Sequence, residues 1–319
     1  MQNNLLDTLR DPAVRDLAWV IGAPGLIDAT MPAYIGHVVE DRWCSTQLKN
    51  CAAWLEALDN SPQPLHQFIA ERPTRRLGHY FETLIAYWLA QIPGTKIIAT
   101  NLQVQNAFRT EGEYDFLFSN GDAKIIHWEA AVKFYLQQEP LAEQRAFIGP
   151  GTRDRLDLKL SRVFQHQLLL GGTPAGQLSL PMGVRLDKAQ AFIKGYLFYH
   201  TTASGETAIP GISSSHLKGW WIRHTLETIP QSSADSRWII LPRMRWLAPA
   251  LLPADAEVMT VTAINLLLDV HFRLSSDAQL LFEMVRSNAG TWIEVSRGFV
   301  VCRHWPSLET KNNSDAVNL

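Results

Sequence analysis

The chain reads GEYDFLF at residues 112–118 and, after the turn signal SNGD, IIHWEAAVKFYL at residues 125–136. Both stretches are rich in aromatic and aliphatic residues, which predicts two strands joined by a hairpin. Successive side chains of a strand point to opposite faces, so one face of the first strand carries Glu113, Asp115 and Leu117. The matching face of the second strand carries His127, Glu129, Ala131 and Lys133. An antiparallel pair therefore brings Asp115 and Glu129 together, with Lys133 further along the same side.

The elements around this hairpin follow the order helix, three strands, helix, strand. A helix with Thr74 as its N-cap is predicted to end at the Pro-Gly pair 93–94. Strands are predicted at 96–108, 112–118, 123–136 and 191–200, and a second helix with Thr152 as its N-cap ends at the Gly-Gly pair 171–172. Short helices are predicted over residues 1–70, and a further helix over 254–268. This order predicts an α/β fold with a mixed, four-stranded central sheet.

The composition is that of an ordered globular protein. Of the 319 residues, 46% are hydrophobic and 19% are charged, and a formal net charge of −2 creates no global attraction to DNA or an acidic membrane. Three cysteines without a CxxC pair suit a reducing compartment. The first residues lack a signal-peptide pattern, and no apolar run is long enough to cross a bilayer. We therefore expect a soluble, cytoplasmic protein without a membrane partner.

The paired carboxylates predict a metal site. Two neighbouring carboxylates repel each other and are retained mainly where a cation bridges them. Mg²⁺ takes one or two protein carboxylates and completes its coordination with water and substrate phosphate. A nearby lysine can orient or deprotonate an attacking water. Glu129 supports this interpretation because it interrupts an apolar run, where an unpaired carboxylate is costly. A solvated strand face is the alternative, and the pattern alone leaves both open.

Four segments carry a resemblance to known proteins: RRLGHYFETL at 75–84, GEYDFLF at 112–118, HWEAAVKFYL at 127–136 and GPGTRDRLDLKL at 149–160. Over the core, GEYDFLF with an acid and a lysine on the following strand, together with the element order, resembles the PD-(D/E)XK nuclease superfamily. Over most of the chain, the four segments resemble a bacterial family of uncharacterised proteins that is regarded as related to those nucleases. The resemblance implies a restriction-endonuclease-like core and metal-dependent hydrolysis of phosphodiester bonds.

The resemblance also implies roles for three acids and a lysine. Asp115 matches the metal-binding aspartate, Glu129 the first acid of the (D/E)XK element, and Glu82 the acid on the preceding helix. The superfamily places its lysine two residues after the acid, where this chain has Ala131, and Lys133 lies four residues after it. Four residues of a strand span about 13 Å instead of about 6.6 Å. Either a bulge or a bent strand, or the length of the side chain itself, brings Lys133 into the site as the catalytic lysine, or the site has lost that lysine.

Glu82 shares one helix face with Gly78 and His79. A glycine in a helix interior costs up to about 1 kcal/mol, so it needs a reason. Gly78 either leaves space beside Glu82 for a metal ion or a phosphate, or it permits close packing of the helix on the sheet. The sequence favours neither explanation.

The helix after residue 152 carries a cationic stripe. Its members lie within an arc of about 60°: Arg155, Lys159, Arg162 and His166. Such a stripe can follow a phosphate backbone, so these residues are predicted to bind nucleic acid. The alternative is a solvated face whose ion-pair partners are Asp154 and Asp157.

These observations divide the chain into a helical N-terminal extension (1–73), a nuclease-like core (74–204) and a Trp-rich C-terminal region (205–319) that packs on the core or extends it. The predicted function is that of a nuclease with Mg²⁺ or Mn²⁺ as cofactor and a nucleic acid as partner, with DNA favoured over RNA. Asp115, Glu129 and Glu82 are predicted to hold the metal, and Lys133 to serve the water. The alternative is a catalytically inactive nuclease-like fold that binds nucleic acid or protein.

Overall fold

The computed structural model describes residues 5–106, 108–139, 141–202 and 208–306. Its helices are α1 (Leu5–Thr8), α2 (Pro12–Gly22), α3 (Asp41–Asn50), α4 (Ala52–Asn60), α5 (Gln63–Ala70), α6 (Leu77–Leu89), α7 (Leu156–Gln165), α8 (Pro174–Ser179) and α9 (Val261–Leu274). Its strands are β1 (Lys96–Gln105), β2 (Thr110–Ser119), β3 (Ile125–Gln137), β4 (Phe147–Ile148), β5 (Lys188–His200), β6 (Leu217–Arg223), β7 (Arg237–Ile240), β8 (Leu251–Leu252), β9 (Gln279–Arg286) and β10 (Trp292–Val301). Short 3-10 helices cover Gln144–Ala146, Gln167–Gly172 and Arg243–Arg245. Within the described ranges, no helix is long and apolar enough to cross a membrane.

The strands form one mixed sheet with the order β1-β2-β3-β5-β6-β10-β9-β7. At one end β1, β2 and β3 are antiparallel neighbours, and in the centre β3, β5, β6 and β10 run parallel. At the other end β9 is antiparallel to both β10 and β7. The central strand β5 is an almost continuous run of buried residues, as expected for a parallel strand that is covered on both faces.

The α/β class and the mixed central sheet are confirmed, but the sheet is larger than predicted. The four predicted strands are present as β1, β2, β3 and β5, within a sheet of ten strands. The C-terminal region extends this sheet with β6, β7, β9 and β10. The stretch WIILPRMRW gives only the short strand β7, because Pro242 ends it and a 3-10 helix follows.

Alternate residues of β3 contribute to two separate cores. Trp128, Ala130 and Phe134 pack in the cluster that also contains α6 and the N-terminal helices. Ala131 and Tyr135 pack in the cluster that contains the apolar face of α7. A third cluster holds α9 against the far end of the sheet. The central hairpin therefore lies between α6 on one face and α7 on the other.

Helix α2 connects the N-terminal extension to the segment after β7. Arg15 donates a hydrogen bond to the carbonyl oxygen of Pro249 at 2.8 Å. The buried Asp16 accepts hydrogen bonds from the backbone N–H of Ala248 and from the hydroxyl of Tyr80, each at 3.0 Å. Burial raises the pKa of Asp16 to about 6. The Asp16 carboxylate on α2 thus joins α6 to the segment after β7 through buried hydrogen bonds.

Helix α7 begins later than the sequence predicted. It starts at Leu156 with Arg155 as the N-cap, and it ends at Gln165. Thr152, which was predicted as the N-cap, lies in the preceding loop with a φ of 60°. The predicted helix to residue 171 is therefore a ten-residue α-helix followed by a 3-10 helix.

Two other helix boundaries also differ from the prediction. Helix α6 begins after Arg76, and Thr74 instead accepts a hydrogen bond from the Arg76 N–H at 3.0 Å. Short hydroxyl side chains bond nearby backbone in turns as well as at helix caps, so the N-cap signal was ambiguous. The helix expected over 254–268 is α9, which starts after the N-cap Thr260.

Candidate functional site

The hairpin of β2 and β3 opens at Asp115. Backbone pairing of the two strands ends at the pair of Phe116 with Trp128. Beyond that pair, the Asp115 side chain replaces the backbone contact, since its Oδ2 accepts a hydrogen bond from the Ala130 N–H at 2.8 Å. This bond fixes the carboxylate against β3, next to Glu129.

The alternation of β2 slips by one residue at the same point. Phe116 packs in the core that contains α6, whereas Tyr114 and Leu117 pack together with Leu170. Residues three apart share a side only where regular alternation is interrupted. The expectation of a single regular face for Glu113, Asp115 and Leu117 is corrected accordingly. The slip explains how the Asp115 carboxylate reaches the backbone of β3.

Glu129 is the most deeply buried carboxylate of this site, with 3% of its surface exposed. Its Oε1 accepts a hydrogen bond from Lys159 Nζ at 3.1 Å, and its Oε2 accepts one from Gln167 Nε2 at 3.3 Å. Lys159 lies on α7, and Gln167 lies on the 3-10 helix that follows. Burial and the like charge of Glu129 raise the pKa of Asp115 to about 8. The pair therefore has the mutual repulsion that the sequence predicted.

Two further carboxylates are coupled electrostatically to this pair. Burial and the negative charges of Glu82 and Glu129 raise the pKa of Glu113 on β2. Glu82 lies on α6, contributes to raising the pKa of Asp115, and pairs with His79 Nδ1 at 3.1 Å. The site thus concentrates four carboxylates from α6, β2 and β3.

Gly78 leaves open space on the first turn of α6. A Cβ atom built at this position meets no atom within 4 Å. Close packing of the helix on the sheet therefore does not account for this glycine. The space lies one helical turn before Glu82, where a ligand of the site could approach the helix backbone.

The donor set fits Mg²⁺ or Mn²⁺ through two carboxylates. In the part of the chain that the structure describes, no three His, Cys, Asp or Glu side chains are grouped to hold a metal ion. Glu82 therefore acts on the pair through its charge and does not complete a three-ligand group. Asp115 and Glu129 alone match the one or two carboxylates that Mg²⁺ takes from proteins, and both offer hard oxygen ligands. Their repulsion is the feature that a bound cation would relieve.

Lys133 forms an ion pair with Asp154 and not with Glu129. Its Nζ lies 2.6 Å from Oδ2 of Asp154 in an ion pair. The pairing of β3 with β5 is continuous from Ile126 to Leu136, so no bulge there draws Lys133 back towards Glu129. The ammonium group beside Glu129 belongs to Lys159 instead. The structure thus brings a lysine to the acid pair from α7.

The predicted cationic stripe is divided by the structure. Arg155 precedes α7 and pairs with Asp157 through hydrogen bonds of 2.6 and 2.9 Å, as the solvated-face alternative expects. Lys159 turns inward to the buried acid on β3. Nucleic-acid binding by the stripe stays a prediction. Of its four residues, Arg162 and His166 remain exposed for such binding.

Two buried polar residues of the site were not singled out from the sequence. Gln167, 6% exposed, lies 38 positions from the acid that it contacts, so no local pattern indicated it. His127 is fully buried, burial lowers its pKa to about 4, and neither ring nitrogen has a hydrogen-bond partner within the described ranges. Its ring lies 4.9 Å from that of Tyr114. The available signal for His127 was its position two residues before Glu129 in an apolar run.

The chain is thus a mixed α/β protein with an acid pair on the central hairpin of its sheet, in which Glu129 is buried and Asp115 is half-buried. The model of the family described as Domain of unknown function (DUF1853) matches residues 15–301, and the chain belongs to this family. None of the curated proteins and none of the solved structures compared with the chain matches it. Membership of an uncharacterised family is therefore confirmed, and the relation to PD-(D/E)XK nucleases stays a prediction.

Proposed function

We propose that the protein is a metal-dependent nuclease that hydrolyses phosphodiester bonds through a restriction-endonuclease-like core. The ion pair of Lys159 with Glu129, beside Asp115, carries the proposal. An acid pair and a lysine are the groups that this reaction uses, and they converge from β2, β3 and α7. The resemblance of GEYDFLF, with an acid and a lysine on the following strand, to PD-(D/E)XK nucleases supports the same proposal.

Each residue has a role that follows from its environment. Asp115 and Glu129 would hold Mg²⁺ or Mn²⁺, which supplies charge stabilisation at the phosphate oxygens when bound. Lys159 would orient the attacking water and transfer a proton in the reaction, because its Nζ lies 3.1 Å from Glu129 Oε1 while its side chain stays 19% exposed. Gln167 holds the second oxygen of Glu129 and thereby sets the plane of the carboxylate. Glu82, which pairs with His79 at 3.1 Å, would bind a further water from the α6 side.

The substrate is a nucleic acid, with DNA favoured over RNA. Exposed basic residues lie on or directly before the two helices that carry Glu82 and Lys159. Arg75 and Arg76 directly precede α6, and Arg162 lies one turn beyond Lys159 on α7. Because the net charge of the chain is −2, these local groups carry the attraction for phosphates.

A comparison of two lysines tests the proposal. Hydrolysis of single- and double-stranded DNA and RNA is measured with Mn²⁺ and with Mg²⁺ for the wild type, Lys159→Met and Lys133→Met. Loss of a proton-transfer group typically lowers the rate by about 10²-fold or more, so Lys159→Met should lose activity. Lys133→Met is the matched control, since it removes an ion pair with Asp154 and leaves Glu129 with its lysine. Asp115→Asn and Glu129→Gln should lose both activity and metal binding.

The rival function is that of an inactive nuclease-like fold that binds nucleic acid or protein. The Lys133–Asp154 ion pair favours it, because the lysine nearest to the superfamily position is engaged elsewhere. Its distinguishing result is a wild type that binds nucleic acid without hydrolysing it under any metal condition. Activity that survives Lys159→Met but not Lys133→Met would refute the assignment of the lysine while leaving the nuclease in place.

A further inference from the structure

A second concave site lies at the turn end of the central hairpin. It is a cavity of about 460 Å³ formed by α3, the C-terminal end of α6, the turn at 120–124 and the first residues of β3 and β5. This size falls within the range of about 300–1,000 Å³ that is usual for small-ligand sites. Its sheet wall is formed by Phe118 and Trp128, which belong to the core on the α6 face. Glu129 contacts α7, so the cavity and the acid pair are separate sites.

Aromatic rings form a corner in this cavity. Trp43 on α3 lies with its ring centroid 5.7 Å from that of Trp128 at an interplanar angle of 90°. Phe118 meets Trp128 at 5.0 Å and 81°. Trp128 is fixed by burial, whereas Trp43 keeps 37% of its surface exposed at the cavity wall. Trp43 also lies 5.6 Å from Trp88, and a partly exposed aromatic ring at a concave site suits stacking of a planar ligand.

The polar groups around the rings select a neutral ligand. Two acids and two lysines line the cavity, namely Glu40, Asp122, Lys124 and Lys188. Their charges balance, so this rim does not favour a strongly anionic ligand such as a nucleoside triphosphate. A flat ligand with hydrogen-bonding edges and no net charge is the better match.

One side-chain amide on the cavity wall can bind the edge of such a ligand. Gln190 already donates to the carbonyl of Val38 at 3.2 Å, and the Asn120 oxygen accepts two backbone N–H groups within the hairpin turn. Gln47 lies on the cavity wall four residues after Trp43, which puts both side chains on one face of α3. A glutamine amide matches the adjacent ring nitrogen and amino group of adenine with two hydrogen bonds.

We propose that this cavity binds a purine nucleobase, with adenine stacked on Trp43 and its edge hydrogen-bonded by Gln47. The site is independent of the proposed hydrolysis, because adenosine has no phosphodiester bond and contacts none of the acid pair. The proposed nucleoside-binding site lies on the face of the sheet opposite to Lys159.

Adenosine, guanosine, cytidine, uridine, AMP, indole and inorganic phosphate are titrated into the full chain with EDTA present, by calorimetry and by tryptophan fluorescence. We expect adenosine to bind with at least fivefold preference over the other nucleosides and indole. AMP should bind within about threefold of adenosine, since the rim is neutral. Trp43→Ala should weaken adenosine binding by about tenfold or more through lost stacking. Trp54→Ala, a half-buried tryptophan of α4 that stacks on Tyr87 away from the cavity, is the matched control.

Gln47→Leu keeps the proposal testable if Trp43→Ala does not fold. This variant should retain stacking and lose the preference for adenosine, so that all nucleosides bind alike. Absence of adenosine binding to the wild type would overturn the proposal. Equal binding of indole and adenosine, or an adenosine preference that survives Gln47→Leu, would also overturn it, because the edge would then not be read by this amide.

Discussion

Replacing Asp115 by asparagine should stabilise the protein in the absence of metal. Asparagine has the same shape, and its side-chain oxygen can still accept the hydrogen bond from the Ala130 N–H. It lacks the charge that burial and Glu129 oppose, and this opposition raises the pKa of Asp115 to about 8. The substitution therefore separates the cost of the buried charge from the structural role of the side chain.

The size of the effect follows from the raised pKa. An ordinary aspartate has a pKa of 3.8, so Asp115 remains mostly protonated at pH 7 in the folded protein and ionised in the unfolded chain. At about 1.36 kcal/mol for each pH unit, the folded state loses up to about 4 kcal/mol at pH 7. Asp115→Asn should recover about 2 to 4 kcal/mol there. A raised pKa gives stability that is complete below pH 4 and is lost as the pH rises through 8, so the gain should vanish near pH 4.

Urea unfolding with EDTA at pH 4, 5.5, 7 and 8.5 measures this difference in the free energy of unfolding. The exposed Asp255→Asn is the matched control and should shift stability little at each pH. Mn²⁺ should stabilise the wild type at pH 8.5 and leave Asp115→Asn unchanged, because metal binding relieves the same repulsion. A gain that is equal at all four pH values, or a loss of stability at pH 7, would refute the reasoning.

Two other substitutions test features near and far from the acid pair. Gly78→Ala should raise the free energy of unfolding by about 0.5 to 1 kcal/mol, because alanine is the better helix former and its Cβ would meet no atom within 4 Å. A lower free energy of unfolding, measured in urea, would show that the space is not open. The same variant should lower nuclease activity if substrate occupies that space, as a matched activity assay would show. Glu283→Gln should destabilise the protein by about 1 to 2 kcal/mol, since the buried carboxylate accepts hydrogen bonds from Ser232, Ser236 and Ser296. Burial alone would raise the pKa of Glu283, but these hydrogen bonds lower it below the usual value. The wild type should therefore lose this stabilisation as the pH falls below about 4.5, whereas Glu283→Gln should not. The same pH dependence of stability in both proteins would contradict the prediction.

The central hairpin could be predicted from sequence because its information is local. The predicted strands at 112–118 and 123–136 agree with β2 and β3 to within two residues. The turn between them is closed by Asn120, whose side chain accepts the N–H groups of Asp122 and Lys124. Burial of Glu129 was likewise indicated by its apolar neighbours.

The partners of Glu129 could not be predicted, since they depend on how α7 packs. Lys159 lies 30 residues away and Gln167 lies 38 residues away, and strand alternation contains no information about either. Strand alternation suggested Lys133 only because it lies on the same face of the strand as Glu129. It could not show that Lys133 forms an ion pair with Asp154. The C-terminal strands escaped a clear assignment because β7 and β8 are short and lie between prolines.

The position of β10 has a consequence for synthesis of the chain. This strand comes last in the described sequence, yet it lies inside the sheet, between β6 and β9. Until residues 292–301 leave the ribosome, β6 has an unpaired edge, and the antiparallel pair of β9 and β7 lacks the strand that joins it to the rest of the sheet. An exposed edge of this kind invites pairing with other chains. A nascent chain that stalls before β10 should therefore depend on chaperones, and a nonsense mutation there should yield aggregates instead of a shortened folded protein.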